Sequence, residues 1–136
     1  MRFSTKRILA LIKLHTVGPI LAAVAILVTG VPAHAQDAEA GAKLFKSQCA
    51  VCHSPVQGKN GIGPSLFGVV GRTSGEVEKF RYSAANKKAH MTWDAAALDK
   101  YLTSPRTVVP GTIMTYAGLK DDTKRADLIA YLATLK

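Results

Sequence analysis

Cysteine is scarce in this chain: 136 residues contain two. That excludes a small domain stapled by a disulfide framework, which needs several pairs. Acidic residues are also few, 9 against 18 Lys and Arg, giving a formal net charge of +9. The basic residues never run beyond two in succession, as at Lys87-Lys88 and Lys124-Arg125. The dense basic stripe of a nucleic-acid-binding domain is therefore missing. There is no internal repeat, no low-complexity tract and no pair of alternating strands. The longest charge-free apolar run near the N-terminus, Val17 to Val31, is short of the about 20 residues a spanning helix needs. Gly18 and Pro19 interrupt it. A hydrophobic fraction of 48% excludes a disordered polar chain.

What is present divides the chain in two. Residues 1–35 hold Arg2, Lys6, Arg7 and Lys13 and no acid, then the apolar run, then Pro32-Ala33-His34-Ala35. A basic start, an apolar middle and an A-x-A exit describe a secretory signal, with cleavage expected between Ala35 and Gln36. Retention of residues 1–35 as a membrane anchor is the alternative. Residues 36–136 would then form the mature domain of 101 residues, with 14 basic and 9 acidic side chains, or +5. A domain of about 100 residues builds only a small core and gains from a metal or a covalent cofactor.

The mature part predicts a mostly α architecture. Ala38–Gln48 reads as a helix. Thr92 is expected to cap a helix over Trp93–Thr103 that Pro105 stops, and Asp121 or Asp122 to cap one over Thr123–Leu135. A helical turn is expected near Ser83–Asn86. Ser54–Thr73, dense in Gly and Pro, and Ser104–Gly118 read as two long loops. Loops this long in so small a domain wrap something or carry function.

Cys49-Ala50-Val51-Cys52-His53 is the C-x-x-C-H pattern of covalent haem attachment. Two thiols separated by two residues on a helical turn reach one edge of a porphyrin and add to its vinyl groups. The following His53 then lies under the ring as an axial ligand. A thioredoxin-like dithiol would need a βαβ pattern, which is missing. A zinc site would consume Cys49, Cys52, His53 and the remote His90. For the sixth iron position the mature chain offers His90, Met91 and Met114. Met91 adjoins the start of a helix, where packing is its expected role. Met114 follows Pro110-Gly111 on the second long loop and is the expected ligand, since Met/His is an established haem pairing.

Taken in order, several pieces of the mature chain resemble small class I c-type cytochromes of the bacterial cytochrome c2 and mitochondrial cytochrome c group. They are CAVCH, Gly61-Ile62-Gly63-Pro64-Ser65-Leu66-Phe67-Gly68, Gly71-Arg72, Phe80 to Lys87, Thr92-Trp93, Tyr101-Leu102, Pro110-Gly111-Thr112-x-Met114 and Asp127 to Leu132. The resemblance spans about Ala38 to Leu135. It implies the small cytochrome c fold, about four helices and long loops wrapped around one covalent haem c. It implies that the Pro64 carbonyl accepts a hydrogen bond from His53, and that Arg72, Tyr82 and Trp93 hold the haem propionates. It places Asn86, Tyr101 and Thr112 in a polar cluster beside Met114. Gly41, Phe45, Leu128 and Tyr131 would form the contact between the terminal helices.

The function so implied is that of an exported, soluble, monomeric one-electron carrier, not an enzyme, acting in the bacterial periplasm. Its partners would be redox proteins: a membrane quinol-cytochrome c oxidoreductase, a terminal oxidase, a photosynthetic reaction centre or a periplasmic dehydrogenase, and no nucleic acid. Lys43, Lys46, Lys59, Lys87, Lys88, Arg106 and Lys120 are candidates for the docking face. The sequence departs from mitochondrial relatives at Ile113, where they carry lysine, so docking should lean less on charge. Two alternatives stay open at this stage: a haem enzyme or ligand sensor with a labile sixth ligand, and a C-x-x-C dithiol oxidoreductase.

Overall fold

The computed structural model describes residues 35–136; the expected signal over 1–35 lies, apart from Ala35, outside the described residues. Five α-helices carry the architecture: α1 (Ala38–Leu44), α2 (Ala84–Ala89), α3 (Ala95–Thr103), α4 (Pro105–Val108) and α5 (Asp122–Thr134). Among the described residues the sole β pairing is an isolated antiparallel bridge between Thr73 and Thr92. A βαβ unit is thus lacking there, which removes the scaffold of a thioredoxin-like dithiol. No described helix is long and apolar enough to cross a membrane.

The first helix starts where its sequence says it should. Asp37 accepts hydrogen bonds from the backbone N–H groups of Glu39 and Ala40, satisfying two of the donors a helix start leaves open. The expected single helix over Ala38–Gln48 is in fact two pieces. From Phe45 to Cys49 the backbone widens into a π-helical turn. The Ala50 N–H reaches back to the Phe45 carbonyl at 2.9 Å. The extra residue per turn falls directly before the two cysteines, at the kind of functional position such turns favour.

Two other expectations need correction. The cap of α3 is Asp94, not Thr92: Asp94 Oδ1 accepts from the Ala97 N–H at 2.7 Å. Trp93 stands outside the helix and pairs its backbone with Arg72 and Gly71. Asp and Thr are both good caps, and the buried indole decides between them, because it must leave the helix to reach the core. The second long loop also holds structure of its own. Pro105 does not merely end α3; it opens the one-turn helix α4, with its fixed φ suited to a first helical position. The turn expected near Ser83–Asn86 extends into α2, capped by Ser83.

α1 and α5 come from opposite ends of the described chain and pack face to face. The ideal Cβ position at Gly41 falls 2.0 Å from the Asp127 carbonyl oxygen and 2.8 Å from Tyr131 Cβ. Only a residue with no side chain permits that approach. Phe45 and Tyr131 pack beside it as a tilted pair with ring centroids 5.2 Å apart. The buried Asp127 also accepts the Asp37 N–H at 2.8 Å, tying the chain before α1 to α5. Leu128, Ile129 and Leu132 turn inward from α5 to join Phe45, Trp93, Leu98, Tyr101 and Leu102 in one core.

Arg125, 6% exposed, braces the end of the second loop. Its guanidinium donates to Asp99 on α3, Asp122 on α5 and the Leu119 carbonyl. The two carboxylates hold its charge more firmly than water does, Asp99 foremost. Arg125→Met keeps the stem and removes all three bonds. It should lower stability by about 2–3 kcal/mol, the range for hydrogen bonds to a charged group, read as a shift of the urea midpoint with an unchanged slope.

Candidate functional site

The Cys49–His53 segment forms a helical turn. The Cys49 carbonyl accepts from the N–H groups of Cys52, at 3.0 Å, and His53, at 2.9 Å. This puts Cys49, Cys52 and His53 on the wall of a single cavity of about 390 Å³. The Gly-rich loop is folded against the turn. The Gly63 N–H donates to the Cys52 carbonyl at 2.8 Å. A Cβ at Gly63 would lie 2.3 Å from the His53 ring, so this glycine leaves the space the imidazole occupies. The next residue supplies an orienting acceptor: His53 Nδ1–H donates to the Pro64 carbonyl at 2.7 Å. Nε2 is left as the lone-pair nitrogen, the tautomer an iron ligand needs. Burial lowers the pKa of His53 further below its ordinary value than the Pro64 bond raises it. Burial also pushes the Cys49 thiol up to about 11, with Cys52 adding to the effect.

The second loop delivers Met114 to the same cavity. Its sulfur lies 3.9 Å from the Tyr101 hydroxyl, which donates to it. The Met114 N–H donates to Thr112 Oγ1, and Thr112 Oγ1–H to Asn86 Oδ1 at 3.0 Å. Ser83 Oγ–H reaches the same Asn86 oxygen at 2.8 Å. The expected polar group of Asn86, Tyr101 and Thr112 is therefore assembled next to Met114. His90 and Met91 do not line the cavity: His90 closes α2 in a left-handed conformation and Met91 packs on the core.

Arg72, Tyr82 and Trp93 line the cavity too. Arg72 is partly committed elsewhere. Its Nη1 donates to the Phe67 carbonyl and its Nη2 to the Ser65 carbonyl, bracing the Gly-rich loop. Its Nε is buried and has no hydrogen-bond partner among the described residues. An orphaned cationic donor on an apolar cavity wall fits a carboxylate brought in by a guest. Burial raises the Tyr82 pKa, so its hydroxyl is held as a neutral donor. Leu66, Val69, Leu98, Leu128 and Leu132 make much of the remaining wall apolar. The donor set thus suits a flat apolar group with acidic arms, fixed at one edge by two thiols and flanked by an imidazole and a thioether. Haem c has that description.

Three exposed apolar residues, Val51, Ile62 and Ile113, surround the cavity's opening. Ile113 is 67% exposed. The seven basic residues named as docking candidates are all exposed, and Lys120 spends its ammonium on the Thr103 carbonyl at 2.6 Å. Sequence reasoning missed Gln48 and Tyr116, which also line the cavity and hydrogen-bond to each other at 2.7 Å. Their places, one residue before Cys49 and two after Met114, were the available signal. No cluster of three or more His, Cys, Asp or Glu suited to a metal occurs among the described residues, so the zinc arrangement through His90 is not formed.

Comparison with known proteins agrees with this geometry. Residues 38–136 match the family model described as Cytochrome c. Cytochrome c of Euglena viridis is 51% identical over 100 residues, covering 74% of this chain and 98% of that protein. Cytochrome c2 of Rhodopila globiformis is 49% identical over 100 residues, covering 74% and 94%. The solved structure of cytochrome cH from Methylobacterium extorquens superposes with a TM-score of 0.67 at 46% identity, covering 72% of this chain and 98% of that one. With the C-x-x-C-H turn, the cavity and these relatives together, the chain belongs to the cytochrome c family: it carries covalent haem c through Cys49 and Cys52 and transfers electrons to and from redox proteins rather than converting a substrate.

Proposed function

We propose that His53 and Met114 are the two axial ligands of the haem iron, and that the chain works as a periplasmic shuttle. The observation that carries this is the convergence of two distant segments on one cavity. His53 is oriented by Pro64, and the Met114 sulfur is held by Tyr101. The bound haem supplies one-electron Fe(III)/Fe(II) chemistry. The residues around it keep geometry nearly constant between the two states. Pro64 fixes the imidazole plane. Thr112 and Asn86 fix the backbone at Met114. Arg72 Nε, Tyr82 and Trp93 receive the propionates. The apolar wall keeps water out, which with Met/His ligation favours a high potential.

Residues 1–35 act as the export signal in this reading, and residues 36–136 are the mature carrier. Donors and acceptors are a membrane quinol-cytochrome c oxidoreductase on one side and a terminal oxidase, photosynthetic reaction centre or periplasmic dehydrogenase on the other. They meet the opening ringed by Val51, Ile62 and Ile113, in complexes small and short-lived enough for turnover. Visible spectra of the oxidised and dithionite-reduced protein test the ligand assignment. Sharp reduced bands together with the weak red-region band of methionine-ligated ferric haem are expected. Haem without that band refutes Met114 as ligand.

A further inference from the structure

The loop that carries Met114 is unevenly secured. At its start, the Thr112 N–H donates to the Val109 carbonyl and Thr112 Oγ1–H to Asn86. At its end, the Leu119 N–H donates to the Leu102 carbonyl at 2.8 Å, and Gly118, at φ 103°, lies so close to Thr103 that no side chain fits. Between these anchors, among the described residues, positions 115–118 make no backbone hydrogen bond. One side-chain hydrogen bond spans the gap, beside the packing of Tyr116 on the core: Tyr116 Oη–H donates to Gln48 Oε1 at 2.7 Å. The partners are 68 residues apart in sequence. Gln48 belongs to the π-helical turn that leads into Cys49, and both side chains line the cavity.

We propose that Tyr116 and Gln48 are positioning residues that latch the Met114 loop to the cysteine-bearing turn and so hold the methionine sulfur in place. The proposal rests on Met114 being the sixth ligand. A loop segment lacking backbone bonds opens at low cost, and each remaining tie then sets much of the closed population. The tie runs from the loop to the segment that bears the haem thioethers. It therefore acts on ligation rather than on the core beneath.

The test uses the complete haem-loaded protein and imidazole as a competing ligand for the ferric iron. Imidazole binds only where the methionine has left, so its apparent affinity reports the open population. Tyr116→Phe removes one hydroxyl, and Gln48→Met keeps length while removing the acceptor. Each should raise imidazole affinity about three- to tenfold, the effect of one net hydrogen bond. The double variant should match either single one, because both delete the same bond. Gln48→Glu retains an acceptor oxygen and should stay within about twofold of the unsubstituted protein, well inside the effect of losing the bond. Unchanged imidazole affinity in Tyr116→Phe and Gln48→Met overturns the latch, as does additivity in the double variant. So does a fall in the urea midpoint with no change in imidazole affinity, which would mark the bond as merely structural. Absence of the methionine band from the unsubstituted protein overturns the Met114 assignment itself and the latch with it. The two failures are thereby told apart.

Discussion

A Met114→Ala protein should keep its haem attached and lose its closed sixth position. Attachment depends on Cys49 and Cys52, which lie on a different segment and keep their helical turn. The loss is confined to one thioether, and the Tyr101 hydroxyl then faces a gap in place of the sulfur 3.9 Å away. Three readouts should change together. The red-region band of the ferric protein should vanish. The reduced protein should bind carbon monoxide quickly, where the unsubstituted one refuses it. The potential should fall by a sizeable fraction of the about 0.8 V that axial ligands span. Retention of the methionine band in this variant would mean that another methionine ligates, Met91 being the other one among the described residues.

Gly41→Val should have the largest effect on stability. The added Cβ would fall 2.0 Å from the Asp127 carbonyl oxygen, and backbone cannot swing aside as a flexible side chain does. The helices must separate, and the Phe45–Tyr131 ring contact separates with them. A loss of about 3 kcal/mol or more is expected, at or beyond the upper end of ordinary overpacking. For a domain of about 100 residues that lowers Tm by at least about 12 °C. The spectrum of the fraction still folded should be nearly unchanged, because Gly41 does not line the cavity. Gly58→Ala is the matching control. Gly58 has φ +68° but open space around it, so it should lose only about 1 kcal/mol from backbone strain. Equal losses from the two variants would refute close helix contact as the cause.

The parts of this molecule that were legible in the sequence are those where spacing is itself the chemistry. Cys49, Cys52 and His53 need a two-residue gap and an adjacent imidazole, and that pattern survives any detail of the fold. Apolar steps of three and four residues located α5, because its buried face is continuous. What escaped was decided by competition in three dimensions. Thr92 and Asp94 are both competent caps, Asp the better one, and the burial of Trp93 outside the helix goes with Asp94. Nothing in Phe45-Lys46-Ser47-Gln48-Cys49 marks a π-helical turn, since the residue types there suit an α-helix equally. The resemblance implies that Arg72 holds acidic arms and says nothing of a second role. The Arg72 Nη groups hold two loop carbonyls, and only Nε remains for the cavity. The bond between Gln48 and Tyr116 joins residues 68 apart, a relation that a single sequence does not display.

The pairing of α1 with α5 also bears on the order in which the chain is made and closed. Gly41 meets Asp127, so the surface that α1 packs against is made well after α1 itself. Until then α1, a helix of 7 residues, is far too short to persist alone. The cysteines just beyond it remain in open chain, with thiols in water. Closure later buries Cys49 enough to raise its pKa to about 11, suppressing the thiolate that reacts most readily. The Cys49 thiolate is thus less available in the closed fold than in the open chain. The long sequence distance between the two terminal helices leaves an interval in which that burial is not yet in place.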